Sequence, residues 1–138
     1  MKAIDIALTQ VGVKEVPGSI DSPEIMQYFI DGGFDARKMH DETAWCSAFV
    51  NWCAIKADRP HSGKLNARSW LKVGSSTYTP SLGDLVVFWR ESRDSWKGHV
   101  GFFITGRNGC IYTLGGNQHN SVTISAYPRS RVLEYRKL

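Results

Sequence analysis

Ala44-Trp45-Cys46-Ser47-Ala48-Phe49-Val50-Asn51-Trp52-Cys53-Ala54-Ile55-Lys56-Ala57 is the stretch on which the fold turns. It is apolar on nearly every helical face, and such a helix is stable only when neighbours cover it on several sides. Asp41 or Thr43 can cap its start, which puts Cys46 in the first turn. Phe49, Val50 and Cys53 follow on the same stripe at i+3, i+4 and i+7. The segment reads as a central buried helix, and the rest of the chain has to supply its walls.

Toward the N-terminus, Ile4, Ala7, Leu8 and Val11 recur at helical spacing and predict a first amphipathic helix that Gly12 ends. Residues 12 to 21 read as loop with a Pro17-Gly18 turn. Ser22-Pro23-Glu24 then supplies an N-cap, a first-turn proline and an early acid for a second helix, stopping at Gly32-Gly33. Beyond the central helix, a short helix Ala67 to Lys72 is expected to start at Asn66 and end at Gly74. From Ser81-Leu82-Gly83-Asp84 onward the pattern changes to strands: Leu85 to Arg90, His99 to Thr105, Cys110 to Leu114, Val122 to Ala126 and Arg131 to Arg136. Asn108-Gly109 is a hairpin turn, and Glu91 to Gly98, with Trp96, reads as an exposed loop. Helices first and strands second make an α+β fold, a small antiparallel sheet with the buried helix packed on it.

A chain of 138 residues without repeat or linker is expected to be one domain, 1–138, with one site. The apolar runs are about five residues long, against roughly 20 for a bilayer span, so no membrane insertion is expected. The net charge of +4 and pI near 9.1 favour polyanionic surroundings, but the Lys and Arg are scattered and form no nucleic-acid module. Met1-Lys2-Ala3-Ile4 opens like a secretory leader, but Asp5, Thr9 and Gln10 interrupt it, so synthesis in the cytoplasm without signal-peptide export is expected. Three cysteines without CxxC spacing suit neither a disulfide framework nor a zinc knuckle; no metal and no cofactor are expected. The protein is expected to be a monomer.

A thiol in the first turn of a helix is the most informative chemical feature. The positive end of the helix favours thiolate, and the free first-turn N–H groups can hold an oxyanion. Taken alone Cys46 reads first as a small core hydrophobe, the reading that Cys53 and Cys110 keep. His99 heads a strand after Gly98 and alternates with Val100, Phe102 and Ile104, which are expected to be buried; His99 should then face outward, as an accessible base. The hairpin register proposes its partner. A three-residue turn at Arg107-Asn108-Gly109 brings Asn117 opposite His99, and a two-residue turn brings Gln118 there. Either amide can accept from the imidazole and fix its tautomer.

The chain resembles the CHAP and NlpC/P60 cysteine peptidases and amidases, papain-like enzymes that cut bacterial peptidoglycan. The resemblance rests on residues 12–18, 41–52, 83–90, 98–103 and 115–118, above all Trp45-Cys46-Ser47-Ala48-Phe49 and Gly98-His99-Val100-Gly101. It implies a papain-like fold, Cys46 as nucleophile, His99 as base and Asn117 as orienter. Gly115 stands where relatives often carry an acid, and His40-Asp41-Glu42 does not match the calcium loop of some phage enzymes. The resemblance implies hydrolysis of a peptidoglycan amide through a thioester, by a phage lysis enzyme or antibacterial effector reaching the wall by holin-type release or specialised secretion. A side chain among Asp41 to Thr43 would assist the oxyanion. Trp45, Trp89, Arg90, Trp96, Gln118 and Glu15 are candidates for the substrate groove, since aromatics suit sugar and peptide surfaces and Arg suits carboxylates. Two other readings are a zinc or structural module and a non-catalytic wall-binding domain on the same fold.

Overall fold

The computed structural model describes residues 1–16, 22–35 and 45–138. Helices α1 (Ala3–Leu8), α2 (Pro23–Asp31) and α3 (Cys46–Lys56) come first, and a 3-10 turn at Ala67–Lys72 leads into the strands. These are β1 (Ser75–Thr77), β2 (Leu85–Trp89), β3 (Gly98–Arg107), β4 (Cys110–Gln118), β5 (Ser121–Pro128) and β6 (Val132–Lys137). They form a six-stranded antiparallel sheet in the order β1-β6-β2-β3-β4-β5. The α+β order expected from the sequence is the order found.

The stretch read as the central helix is α3. Ala48, Phe49, Val50, Cys53 and Ala54 are fully buried, with α1 and α2 on one side and β3 and β4 on the other. At about 1.5–3 kcal/mol for each large apolar side chain taken from water, Phe49 and Val50 alone fix this helix firmly. Its polar residues Ser47 and Asn51 are buried too, and each has partners. The Ser47 hydroxyl donates to the Lys64 carbonyl (2.7 Å) and accepts from the Trp70 indole N–H (2.9 Å), while Asn51 Nδ2 also donates to the Lys64 carbonyl (3.1 Å). Trp52 donates to Asp31 at the end of α2 (2.9 Å). A helix can be covered on all sides only if such groups are satisfied.

Several boundaries differ from expectation. The first helix stops at Leu8, because only Ala3, Ile4 and Ala7 are buried along it while Leu8 and Val11 stay exposed. Its apolar stripe is shorter than the periodicity suggested. Ser22 caps α2 as expected, its hydroxyl accepting from the Ile25 N–H (3.4 Å). Asp41 and Thr43, the caps expected for α3, and the Pro17-Gly18 turn lie outside the described residues. The N-cap position itself is Trp45, whose side chain makes no capping hydrogen bond. The short strand β1 was not expected; it borders β6 at one edge of the sheet.

The β3–β4 hairpin has the two-residue turn, Asn108-Gly109, with φ of 52° and 76° and Arg107 paired to Cys110. An irregularity between Phe103 and Thr105 then moves the register by one, so that Phe102 pairs with Leu114. Turn length therefore does not set the pairing at the far end of β3, which is where His99 lies.

Candidate active site

His99 pairs with Phe88 of β2, one residue into β3. Its ring packs against Tyr127 of β5 (centroids 5.0 Å apart) and stacks more distantly on Phe88 (6.2 Å), and those two rings also touch each other (4.7 Å). Only 1% of the residue is exposed, so the accessible base expected from strand alternation is instead enclosed: a second apolar cluster, Val86, Phe88 and Ile111, covers that face of the sheet. Nε2 lies 2.9 Å from Gln118 Oε1 and 3.2 Å from the Tyr127 hydroxyl. The Gln118 amide nitrogen donates to the carbonyls of Thr113 (3.1 Å) and Thr123 (2.8 Å), which leaves its oxygen as the atom facing the ring. Nε2 must therefore carry the hydrogen and donate it, and Nδ1 holds the free lone pair. Nδ1 is buried and has no hydrogen-bond partner among the described residues. A buried polar atom left open in this way is costly, and it is what a base awaiting a proton requires.

Cys46 is the first residue of α3 and is 4% exposed. Its sulfur lies against the backbone of Val100, the residue after His99, and against the backbone of Ser47 and of Cys46 itself. Hydrogen bonding from these groups and the nearby charge of Arg90 favour thiolate. Burial outweighs them: desolvation holds the thiol above its ordinary 9.0. The helix tip acts in the expected direction but does not by itself prime the thiol. Desolvation likewise presses His99 from 6.5 down to about 4; the Gln118 hydrogen bond opposes it and Arg90 adds to it. In this closed arrangement both groups are neutral, and no hydrogen bond joins the thiol to Nδ1.

The side chain that holds the imidazole is Gln118, not the expected Asn117. The β4–β5 pairing is irregular between Gly115 and Gln118, and Asn117 takes a left-handed φ of 57°. This turns Asn117 partly outward and sends Gln118, 2% exposed, inward. Glycines make the manoeuvre feasible. A Cβ on Gly115 would stand 2.8 Å from Gln118 Oε1, and one on Gly116 would stand 2.6 Å from the Trp45 ring. The missing side chain at 115 leaves the space that the Gln118 carboxamide fills.

A family model described as the CHAP domain matches residues 38–117, more than half of the chain, and spans Cys46 and His99. The chain belongs to the CHAP domain family. Comparison with curated proteins finds no match. Membership makes the protein a hydrolase, an amidase or peptidase acting on peptidoglycan, and its helices on an antiparallel sheet agree with the papain-like fold of CHAP domains. No helix among the described residues is long and apolar enough to cross a membrane.

The other candidate residues of this CHAP domain divide sharply. Trp45 is fully buried and donates its indole N–H to Glu15 (2.7 Å), so these two are engaged with each other rather than lining a groove. Trp89 donates to the Ser130 carbonyl (3.1 Å) and carries the Arg131 guanidinium over its ring. Arg90 and Trp96, the latter 73% exposed, remain open to a ligand. His40 to Thr43, including the proposed oxyanion helper, lies outside the described residues. Among the described residues no three His, Cys, Asp or Glu side chains gather as a metal site would require. Sequence reasoning missed Tyr127. Only the pairing of β4 with β5, which sets Tyr127 opposite Ile111, brings it to His99, and no local pattern announces it.

Proposed function

We propose that this CHAP domain cleaves an amide in the peptide part of peptidoglycan, with Cys46 as nucleophile, His99 as general base and acid, and Gln118 as the residue that orients the imidazole. One observation carries the reading: Nε2 is committed to an anchored Gln118, so the lone pair of His99 is left on a buried, unpartnered Nδ1. Because burial keeps thiol and imidazole neutral, thiolate forms as the reaction starts, when His99 Nδ1 takes the Cys46 proton. The sulfur then adds to the scissile carbonyl, and the first-turn N–H of Cys46 holds the oxyanion. His99 returns the proton to the leaving amine, giving a thioester. Water, deprotonated by His99, releases the acid and the free thiol.

The test is clearing of purified peptidoglycan by wild type and Cys46→Ala, with iodoacetamide or EDTA added. Loss in the variant and with the alkylator, but not with EDTA, is expected; clearing by Cys46→Ala sinks the reading. Mass analysis of released fragments identifies the bond. The reading extends to a phage lysis enzyme or antibacterial effector that meets its substrate only beyond the cytoplasmic membrane. Expression in bacteria should then be toxic when directed to the periplasm and tolerated in the cytoplasm; equal tolerance in both counts against it.

A further inference from the structure

Arg90 has no part in the chemistry above, yet it stands beside it. Its N–H donates to the Lys97 carbonyl (3.3 Å), which carries the β2–β3 ladder one step past the Trp89–Gly98 pair. Arg90 is two residues from Phe88, the partner of His99, so it leaves the strand on the face of Phe88 and His99. It is the diagonal cross-strand neighbour of the imidazole, a separation that a long side chain spans. The strand end is held in place: Arg68 donates to the carbonyls of Ser92 (2.9 Å), Arg93 (2.6 Å) and Lys97 (2.8 Å). The nearest acid in sequence, Glu91, is engaged by Lys97 (2.9 Å) and Ser95 (3.3 Å). The Arg90 guanidinium is exposed and makes no ion pair or side-chain hydrogen bond among the described residues. Its field nevertheless reaches Cys46, His99 and Tyr127.

A cation here opposes the imidazolium that His99 must become, and a negative charge brought by the substrate would cancel that opposition. We propose that Arg90 is the docking position for a free carboxylate that the substrate peptide carries next to the scissile amide. The inference rests on the hydrolase reading above and names the chemical class that reading leaves open. A guanidinium fork pairs with a carboxylate through two parallel hydrogen bonds, which fixes position as well as charge.

Two measurements test it, and they fail independently. The first compares alkylation of Cys46 by iodoacetate and by iodoacetamide, followed by peptide mapping so that Cys53 and Cys110 are scored apart. The anionic-to-neutral rate ratio at Cys46 should be roughly tenfold higher in wild type than in Arg90→Gln. Equal ratios overturn the proposal. The second uses two synthetic peptidoglycan fragments that differ only in whether the neighbouring carboxylate is free or amidated. Wild type should lose roughly tenfold or more in kcat/KM on amidation, chiefly through KM, Arg90→Lys less, and Arg90→Gln nothing. A preference for the free acid that survives Arg90→Gln overturns the proposal. If wild type cuts neither fragment while the iodoacetate preference stands, Arg90 keeps its anion site and the hydrolase reading falls. A Cys46 that neither reagent modifies sinks both.

Discussion

At the tip of α3 the hydrogen bonds to the thiol come, among the described residues, from backbone, whereas at the start of β3 the imidazole is held by side chains from three strands. Cys46 meets the backbone of Val100, Ser47 and its own residue. His99 meets Phe88, Gln118 and Tyr127 from β2, β4 and β5. The difference separates two kinds of robustness. Backbone donors persist through almost any side-chain change, so the thiol's hydrogen bonds are hard to disturb, and the nearby charge of Arg90 is the part of its surroundings that a substitution can remove. The imidazole depends on identities far apart in sequence and should respond to each.

The largest effect belongs to the nucleophile. Cys46→Ala should lower peptidoglycan hydrolysis by at least about 10⁴-fold while leaving the urea midpoint close to wild type, since it removes one small atom at a helix end. Gln118→Leu tests the other side. Losing this acceptor leaves Nε2 only the longer contact to the Tyr127 hydroxyl, so ring and tautomer are held less firmly, and hydrolysis should fall by about 10²- to 10³-fold. The same change removes the nearer acceptor of Nε2 and the Gln118 donor to the Thr113 and Thr123 carbonyls, at about 1–3 kcal/mol of stability. Gln118→Glu separates the two causes, because it keeps an acceptor for Nε2 and loses the donors to Thr113 and Thr123. It should retain more activity than the Leu variant. Equal activity of wild type and Gln118→Leu, read from initial rates on one peptidoglycan preparation, would break the comparison.

Sequence reading reached the two sides of the site unequally, for the same physical reason. The buried helix, its thiol in the first turn and the strand beginning at Gly98-His99 are local patterns of periodicity and capping, and they stand as read. What holds His99 is set by register, and register here depends on the irregularities at Phe103/Thr105 and Gly115/Gln118. At the second of these, Gly116 lets β4 approach Trp45 and Gly115 leaves room for Gln118, contacts that no local sequence pattern announces. The choice between Asn117 and Gln118 could not be made from turn length, and Tyr127 could not be found at all. Charge was misjudged similarly: the helix end was legible, but the burial that overrides it is a tertiary property.

Burial of His99 predicts a pH response. Its pKa falls from 6.5 to about 4 on folding, so the folded state favours the neutral ring. The corresponding stability is complete above the unfolded value, 6.5, and is lost as pH falls through the folded value, about 4. Its size is on the order of 3 kcal/mol at 1.36 kcal/mol per pKa unit. Urea unfolding of wild type should weaken between pH 6.5 and 4, and that dependence should shrink in His99→Asn. The acid limb of kcat/KM should likewise fall near pH 4 rather than 6.5, since the neutral base persists that far. A limb near 6.5 would mean that the imidazole works in a wetter state than the one described.

The smallest effect is the most discriminating. Tyr127 packs its ring on His99 and brings its hydroxyl to 3.2 Å from Nε2, a nitrogen whose hydrogen already goes to Gln118. Burial raises the phenol to about 12, so it stays neutral and its oxygen serves as a second acceptor for the ring. That acceptor matters most when His99 carries a positive charge, midway through the reaction. Tyr127→Phe keeps the stack and removes only the oxygen, so rates should fall by about three- to tenfold, the equivalent of one hydrogen bond. With one acceptor fewer the imidazolium is less stable, and the acid limb should move to still lower pH. A merely structural tyrosine would leave that limb where it is. If Tyr127→Phe is silent and Tyr127→Leu is not, the ring alone matters, and Gln118 holds Nε2 without help.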